Sequence, residues 1–368
     1  MSGPRPGDFA IPRARAGACY DARIGAFIVW DLARGEERLR LRGHESEVSS
    51  CALSADGRTA LSISRDHLII WDIEGGREGG HVRGHGLEVR SCAVSTDERI
   101  GLSGSDDREL IAWDLVTGEQ RHRLLGHAGR VLGCGISGDG STGLSASADE
   151  SLIVWDLATG EQHHRLSGHR DVVWSCGISA NGSTGLSASR DKTLIVWDLR
   201  SRRQRHRLHD HDIMISCCAI SADGRTGLSG SGDWVLIAWD LETGEERHRL
   251  LGHDGWISSC AIDADGRNGL SASHDQTLIV WDLATGQQRH RLLGHDGQVL
   301  GCAISADGRT GLSASNDRTL MLWDLTTGEA VSRLALDSIA VGVALSPTRV
   351  ALVGDHKGNV TCFEIVVP

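Results

Sequence analysis

The chain has 368 residues, a formal net charge of -11, 40% hydrophobic residues and only 4% aromatics. That apolar content suffices for a core, while the acidic balance argues against a general affinity for phosphate backbones or anionic lipid, both of which need clustered cations. Nucleic acid and membrane surfaces are therefore not expected partners.

From the N-terminus, residues 1–16 hold Pro4, Pro6 and Pro12 among scattered Arg, without the apolar stretch a secretory signal needs. Nothing in the chain approaches the roughly 20 apolar residues of a bilayer-spanning helix. Lys occurs only as Lys192 and Lys357, and we read the preference for Arg as the coding bias of a GC-rich genome.

Beyond this segment one regularity governs the chain. Trp-Asp recurs at Trp30, Trp71, Trp113, Trp155, Trp197, Trp239, Trp281 and Trp323, in one step of 41 residues and six of 42. In phase with it stand His44, His85, His127, His169, His211, His253 and His295, each but His211 preceded by Gly. A period of this length means one supersecondary unit used repeatedly, each copy burying its apolar face only against its neighbours. The length would otherwise suggest two domains, but stacked repeats form one body, so a single domain over 1–368 is expected. Its repeats run 1–43, 44–84, 85–126, 127–168, 169–210, 211–252, 253–294, 295–336 and 337–368.

Within residues 127–168, Arg130 to Ile136, Gly143 to Ser147, Leu152 to Trp155 and His163 to Leu166 are β-prone runs separated by Gly and Asp turns. Four short strands joined in this way make an antiparallel meander. The fourth run repeats Arg-His-Arg-Leu, and charge there suits an exposed edge strand. Of ten cysteines, Cys51, Cys92, Cys134, Cys176, Cys218, Cys260 and Cys302 each fall seven residues after a ruler His, as copies of one core position. No Cys-x-x-Cys pair offers a zinc site, and equivalent strands of neighbouring units are expected to lie too far apart for a disulfide. Free buried thiols imply a reducing, cytoplasmic setting.

The ends are degenerate. Residues 1–43 read as a worn repeat with a first strand near Ala10 and Ile11, and Val341 to Leu345, Val350 to Val353 and Val360 to Phe363 read as three strands without a fourth.

With Gly-His leading and Trp-Asp closing each unit, nearly the whole chain resembles the WD-repeat family of β-propellers. The resemblance implies an all-β WD40 β-propeller. Nine blades with a three-stranded last blade use every strand, whereas eight blades, closed by the segment around Arg38 to Arg42, leave Phe27 to Trp30 without a partner. It further implies, in each unit, a hydrogen-bonded tetrad of His, Ser, Asp and Trp. We map it to His127, Ser147, Asp149, Trp155; His169, Ser189, Asp191, Trp197; His253, Ser273, Asp275, Trp281; and His295, Ser315, Asp317, Trp323. The units at His44, His85 and His211 carry the same types at Ser64, Asp66, Trp71; Ser105, Asp107, Trp113; and Ser231, Asp233, Trp239. A Ser-His-Asp set used in every unit is a structural lock rather than a catalytic triad, because an active site breaks symmetry.

Departures from the repeat are the local signal of function. Trp174, Trp234 and Trp256 are the three Trp outside the Trp-Asp series, they fall in three consecutive units, and Met214 stands at the position equivalent to Trp256. The resemblance puts these loops on one face of the disc. Glu47, Glu88 and Arg130 hold the position of Met214 and Trp256 in other units, and Arg190 precedes a turn Asp of the same face, giving a mixed surface that suits a protein or peptide better than a phosphate. The expected function is a non-enzymatic scaffold or recognition module, monomeric by itself and without metal or cofactor. A lectin-like sensor of a small ligand or glycan is the alternative. The near-identity of the repeats has a bacterial look, and members of that kind often accompany signalling domains that this sequence does not carry.

Overall fold

The structure is a computed structural model. It describes residues 85–335 with their side chains, apart from 88–89, 92, 94, 96–98 and 115–118; it adds Ile339, and the backbone alone of the strands at 17–83, 89–94 and 340–364. Every regular element among the described residues is a β-strand.

The strands fall into seven four-stranded sheets and one six-stranded sheet, all antiparallel. The four-stranded sheets are meanders in chain order: the first spans Val48–Leu53 to Arg77–Arg83, the second Val89–Val94 to Gln120–Leu124 and the third Val131–Ile136 to Gln162–Ser167. The fourth runs from Val173–Ile178 to Arg203–Leu208, the fifth from Ile215–Ile220 to Glu246–Leu250, the sixth from Ile257–Ile262 to Gln287–Leu292 and the seventh from Val299–Ile304 to Glu329–Ala335. The eighth joins both ends of the chain, with Gly17–Asp21 laid beside Val360–Glu364 and Gly17 opposite Phe363. Ala26–Asp31, the segment that an eight-sheet arrangement was expected to strand, is paired on both sides, with Gly17–Asp21 and with Glu36–Arg42. The first strand expected near Ala10 and Ile11 lies outside the described residues.

The sheets whose side chains are described, the second to the seventh, bury apolar residues on both faces. In the third, Thr142–Ser147 and Ser151–Asp156 are buried nearly throughout, while Gln162–Ser167 is mostly exposed. Small residues in the second strand allow close face-to-face approach, and the large ones in the third fill the space between sheets. Leu102, Leu110 and Ala112 of the second sheet thus share one core with Val131, Ile153, Trp155 and Leu157 of the third. The pattern recurs from the third sheet to the seventh. First strands of successive sheets lie against one another, and Ala340–Leu345 lies against both Val299–Ile304 and Val48–Leu53. Turns reinforce the seams by main-chain hydrogen bonds: Gly138 N donates to Ala180 O at 2.8 Å, Ala180 N to Ala222 O at 2.9 Å and Ala222 N to Ala264 O at 3.2 Å.

Candidate functional site

The tight turn between second and third strands places an aspartate beneath the histidine that leads the repeat. In the third sheet His127 Nδ1 lies 2.9 Å from Asp149 Oδ2, and His127 Nε2 lies 2.8 Å from the hydroxyl of Ser145. Trp155 Nε1 donates to the same hydroxyl at 2.9 Å. With Asp149 accepting from Nδ1–H, the chain of donors runs Trp155 to Ser145 to His127 to Asp149, and it is satisfied with a neutral imidazole. The amide of Ala128 adds a further bond to Asp149 at 2.8 Å.

The serine differs from the one expected. Ser145 closes the tetrad; Ser147 lies at the strand end, where its hydroxyl accepts the amide of Asp149 at 3.1 Å and shapes the turn. Both serines project to one face of the strand, two residues apart, but only Ser145 is opposite Ile153, within reach of the Trp155 indole. The same correction applies to Ser189, Ser273 and Ser315. Ser187, Ser271 and Ser313 join His169 to Trp197, His253 to Trp281 and His295 to Trp323. Ser189, Ser273 and Ser315 accept the amides of Asp191, Asp275 and Asp317. In the units of His85 and His211 the joining serines are likewise Ser103 and Ser229, not Ser105 and Ser231. His44 and Asp66 lie outside the described residues, as do the side chains of Ser64 and Trp71.

Burial opposes the charge of Asp149, yet hydrogen bonds from His127 and Ser151 and the amide of Ala128 outweigh it, holding the carboxyl far below its usual range. Asp191 and Asp275 are lowered in the same manner. His211 and His295 are pushed below the ordinary histidine value by burial, against the pull of Asp233 and Asp317. In the described units each serine hydroxyl of the lock is fully buried and engaged by both imidazole and indole.

Among the described residues, His85, Asp107 and Glu109 are close enough to share an ion. The His85 ring is already committed to Asp107 at 2.9 Å and Ser103 at 2.8 Å, and Glu109 faces Arg123 at 3.1 Å. Glu109 stands where other units have Ser151, Thr193, Thr277 and Thr319, so the group is an ion-paired variant of the lock.

The residues that break the repeat are placed as follows. Trp174 occupies the bulge between Val173 and Ser175 and is 41% exposed. At the equivalent bulges Ser216 and Ser258 donate across the seam to Ile257 O and Val299 O, so the position of Trp174 is one that faces the next sheet. Trp234 is 53% exposed and has φ +71°, the left-handed position that Arg108, Glu150, Lys192, Gln276 and Arg318 take in the other turns. Trp256 is half-buried: its ring is 5.7 Å from that of His274, and a Cβ on Gly232 of the preceding sheet would lie 3.5 Å from it. Met214 is half-buried, and its carbonyl accepts from Ser231 at 2.8 Å. Arg130 and Arg190 are exposed, 3.7 Å from Asp106 and 3.8 Å from Asp171 respectively. Glu47 and Glu88 lie outside the described residues.

Ile213 was missed at the sequence level. It is 41% exposed and flanks Gly232, whose added Cβ would meet its Cδ1 at 2.7 Å. Four other units carry Gly129, Asp171, Gly255 and Gly297 at that position, while a fifth carries Leu87, itself exposed, so the sequence alone does not single out Ile213. The exposed cations Arg200, Arg202 and Arg203 were also passed over, being hidden by the net charge.

The family profile described as WD domain, G-beta repeat matches residues 35–72, 76–114, 118–156, 160–198, 202–240, 244–282 and 286–324. The chain belongs to the WD-repeat family. Each matched segment runs from the outer strand of one sheet through the third strand of the next, so that successive sheets are tied by the covalent chain. No curated protein matches the chain.

Proposed function

We propose that this chain is a non-enzymatic recognition module, an eight-bladed propeller whose widest blade is the six-stranded sheet, that docks a protein or peptide partner. WD-repeat proteins in general serve protein interaction and scaffolding. The docking surface we assign comprises Trp174, Trp234 and Ile213, bordered by Met214 and Trp256 and rimmed by Arg130 and Arg190; Glu47 and Glu88 hold the repeat position of Met214 and Trp256 in two further units. The observation that carries this reading is Trp234: a large indole left over half exposed at a turn position where the other units use charged or polar residues. Exposed aromatics next to aliphatic side chains are the common anchors of interfaces. We further infer a monomer that works in the cytoplasm, without nucleic acid or membrane as a partner.

The test begins with affinity capture from the native host and purification of the protein that co-elutes. Its affinity is then measured by calorimetry for the unmodified chain and for Trp174→Ala and Trp234→Ala. Loss of about 2 kcal/mol or more at either position, with unchanged thermal midpoints, supports the surface. Equal affinities would exclude it.

A further inference from the structure

Next to the repeated cysteine of each first strand stands a small residue: Ser91, Gly133, Ser175, Ser259 and Gly301, but Cys217 in the fifth sheet. Successive side chains of a strand point to opposite faces, so this position is aimed at the following sheet. Ser91 Oγ thus accepts from Cys134 N at 3.1 Å and lies 3.5 Å from its sulfur; Ser259 Oγ accepts from Cys302 N at 3.3 Å; Ser175 Oγ lies 3.5 Å from the sulfur of Cys218. Where three other seams set a hydroxyl against the cysteine of the next sheet, Cys217 sets a second thiol against Cys260, and its own S–H also reaches Gly230 O at 3.9 Å within its sheet.

The backbones approach closely at this register. At Gly133, the same position two sheets earlier, an added Cβ would lie 3.2 Å from the amide nitrogen of Cys176 and 3.3 Å from Cα of Ser175. Such an approach fits the Cα separation of roughly 4.4–6.8 Å across a disulfide, which corrects the expectation that neighbouring first strands stand too far apart. Cys217 and Cys260 are both half-buried free thiols, whereas Cys218, the chain neighbour of Cys217, is turned to Ser175 on the opposite side.

We propose that Cys217 and Cys260 form an oxidisable dithiol site that closes to a disulfide between the fifth and sixth sheets when a peroxide supplies the oxidant. The Cys217 sulfur attacks one peroxide oxygen; the O–O bond breaks, and the released hydroxide takes up a proton to leave as water. The Cys260 sulfur then displaces hydroxide from the resulting sulfenic acid, and its own proton completes a second water. Two thiols and one hydrogen peroxide thus give one disulfide and two waters. Cys217, burial and the neighbouring sulfurs hold the Cys260 thiol above its ordinary value, so Cys260 is the poorer first nucleophile and Cys217 the sulfur that meets the peroxide.

The full chain, purified reduced, is treated with hydrogen peroxide, quenched, alkylated in denaturant and mapped without reduction. The expected result is a peptide containing Cys217 joined to one containing Cys260. The intact mass falls by about 2 Da, and the thermal midpoint rises by about 3–6 °C, both reversed by dithiothreitol. Cys217→Ser installs the residue found at 175 and 259; it should keep the reduced midpoint and show neither link nor rise. Recovery of both thiols as free alkylated cysteines after peroxide, or a link through Cys218 or Cys176 instead, overturns the proposal. A midpoint rise that persists in Cys217→Ser does so too.

Discussion

His164 and Arg202 meet at the seam between the third and fourth sheets, and they spoil a contact that four other seams make. His122, His206, His248 and His290 each place Nε2 3.0–3.2 Å from a carbonyl of the next sheet's turn, at Ala158, Glu242, Ala284 and Thr326. Beside each ring lies a glycine with positive φ: Gly160, Gly244, Gly286 and Gly328. At the fifth such place the turn carries Arg202 at φ +63°, and both ring nitrogens of His164 are buried without a partner. Arg202→Gly removes a side chain from the left-handed region and frees the turn to approach the ring. We expect stabilisation by about 0.5–2 kcal/mol, read as a higher denaturant midpoint. In a His164→Ala background the gain should shrink; an undiminished gain would show that relief at Arg202 alone accounts for it.

Stability should decline on acidification in two stages. Burial, with Arg202 and His163 nearby, depresses the value of His164, and burial depresses those of His211 and His295. The unfolded chain therefore binds these protons more readily than the folded one, and stability present above about pH 6.5 is lost as pH falls through the depressed folded values. Asp149, Asp191 and Asp275 are depressed likewise, so their contribution, present above about pH 4, is lost in a second stage below it. Denaturant midpoints measured from pH 8 to pH 3 check this. A flat profile between pH 7 and pH 5 would mean that these imidazoles titrate alike in the folded and unfolded chain.

The repeat was legible because each unit must bury two faces against copies of itself, which forces Trp, His and Asp into fixed register. The choice between Ser145 and Ser147 was not, since alternation puts both on one face and only the reach of the Trp155 indole separates them. Pairing of the chain ends was equally hidden, because Gly17–Asp21 and Val360–Glu364 lie at opposite ends of the sequence and no local motif marks them as partners. The half-burial of Trp256 was hidden as well, because it rests on His274 and on the absence of a side chain at Gly232 of the preceding sheet.

Substitution of the two serines separates their roles. Ser145→Ala leaves the buried Trp155 N–H and the His127 ring without their shared partner, at a cost of about 2–4 kcal/mol. Ser147→Ala removes one hydrogen bond at a partly exposed turn and should cost about 1 kcal/mol. Urea midpoints of the two variants decide the matter: equal losses would mean that the shared hydroxyl is not the hub of the lock.

Gly232 gives access to the proposed docking surface without touching the lock. Ala148 fills the same position in another unit, so Gly232→Ala is compatible with the turn. The new Cβ would fall 2.7 Å from Ile213 Cδ1, the free end of an exposed side chain, and at ordinary contact distance from Trp256. Ile213 must swing away while the core stays as it is, so the thermal midpoint should move by no more than about 1–2 °C. If Ile213 belongs to the surface that holds a partner, its displacement should weaken binding about 3- to 30-fold, mainly through faster dissociation. Surface plasmon resonance on the purified pair, with Arg267→Ala as a remote exposed control, measures this. Unaltered dissociation in Gly232→Ala would place the contact away from Ile213 and Trp256.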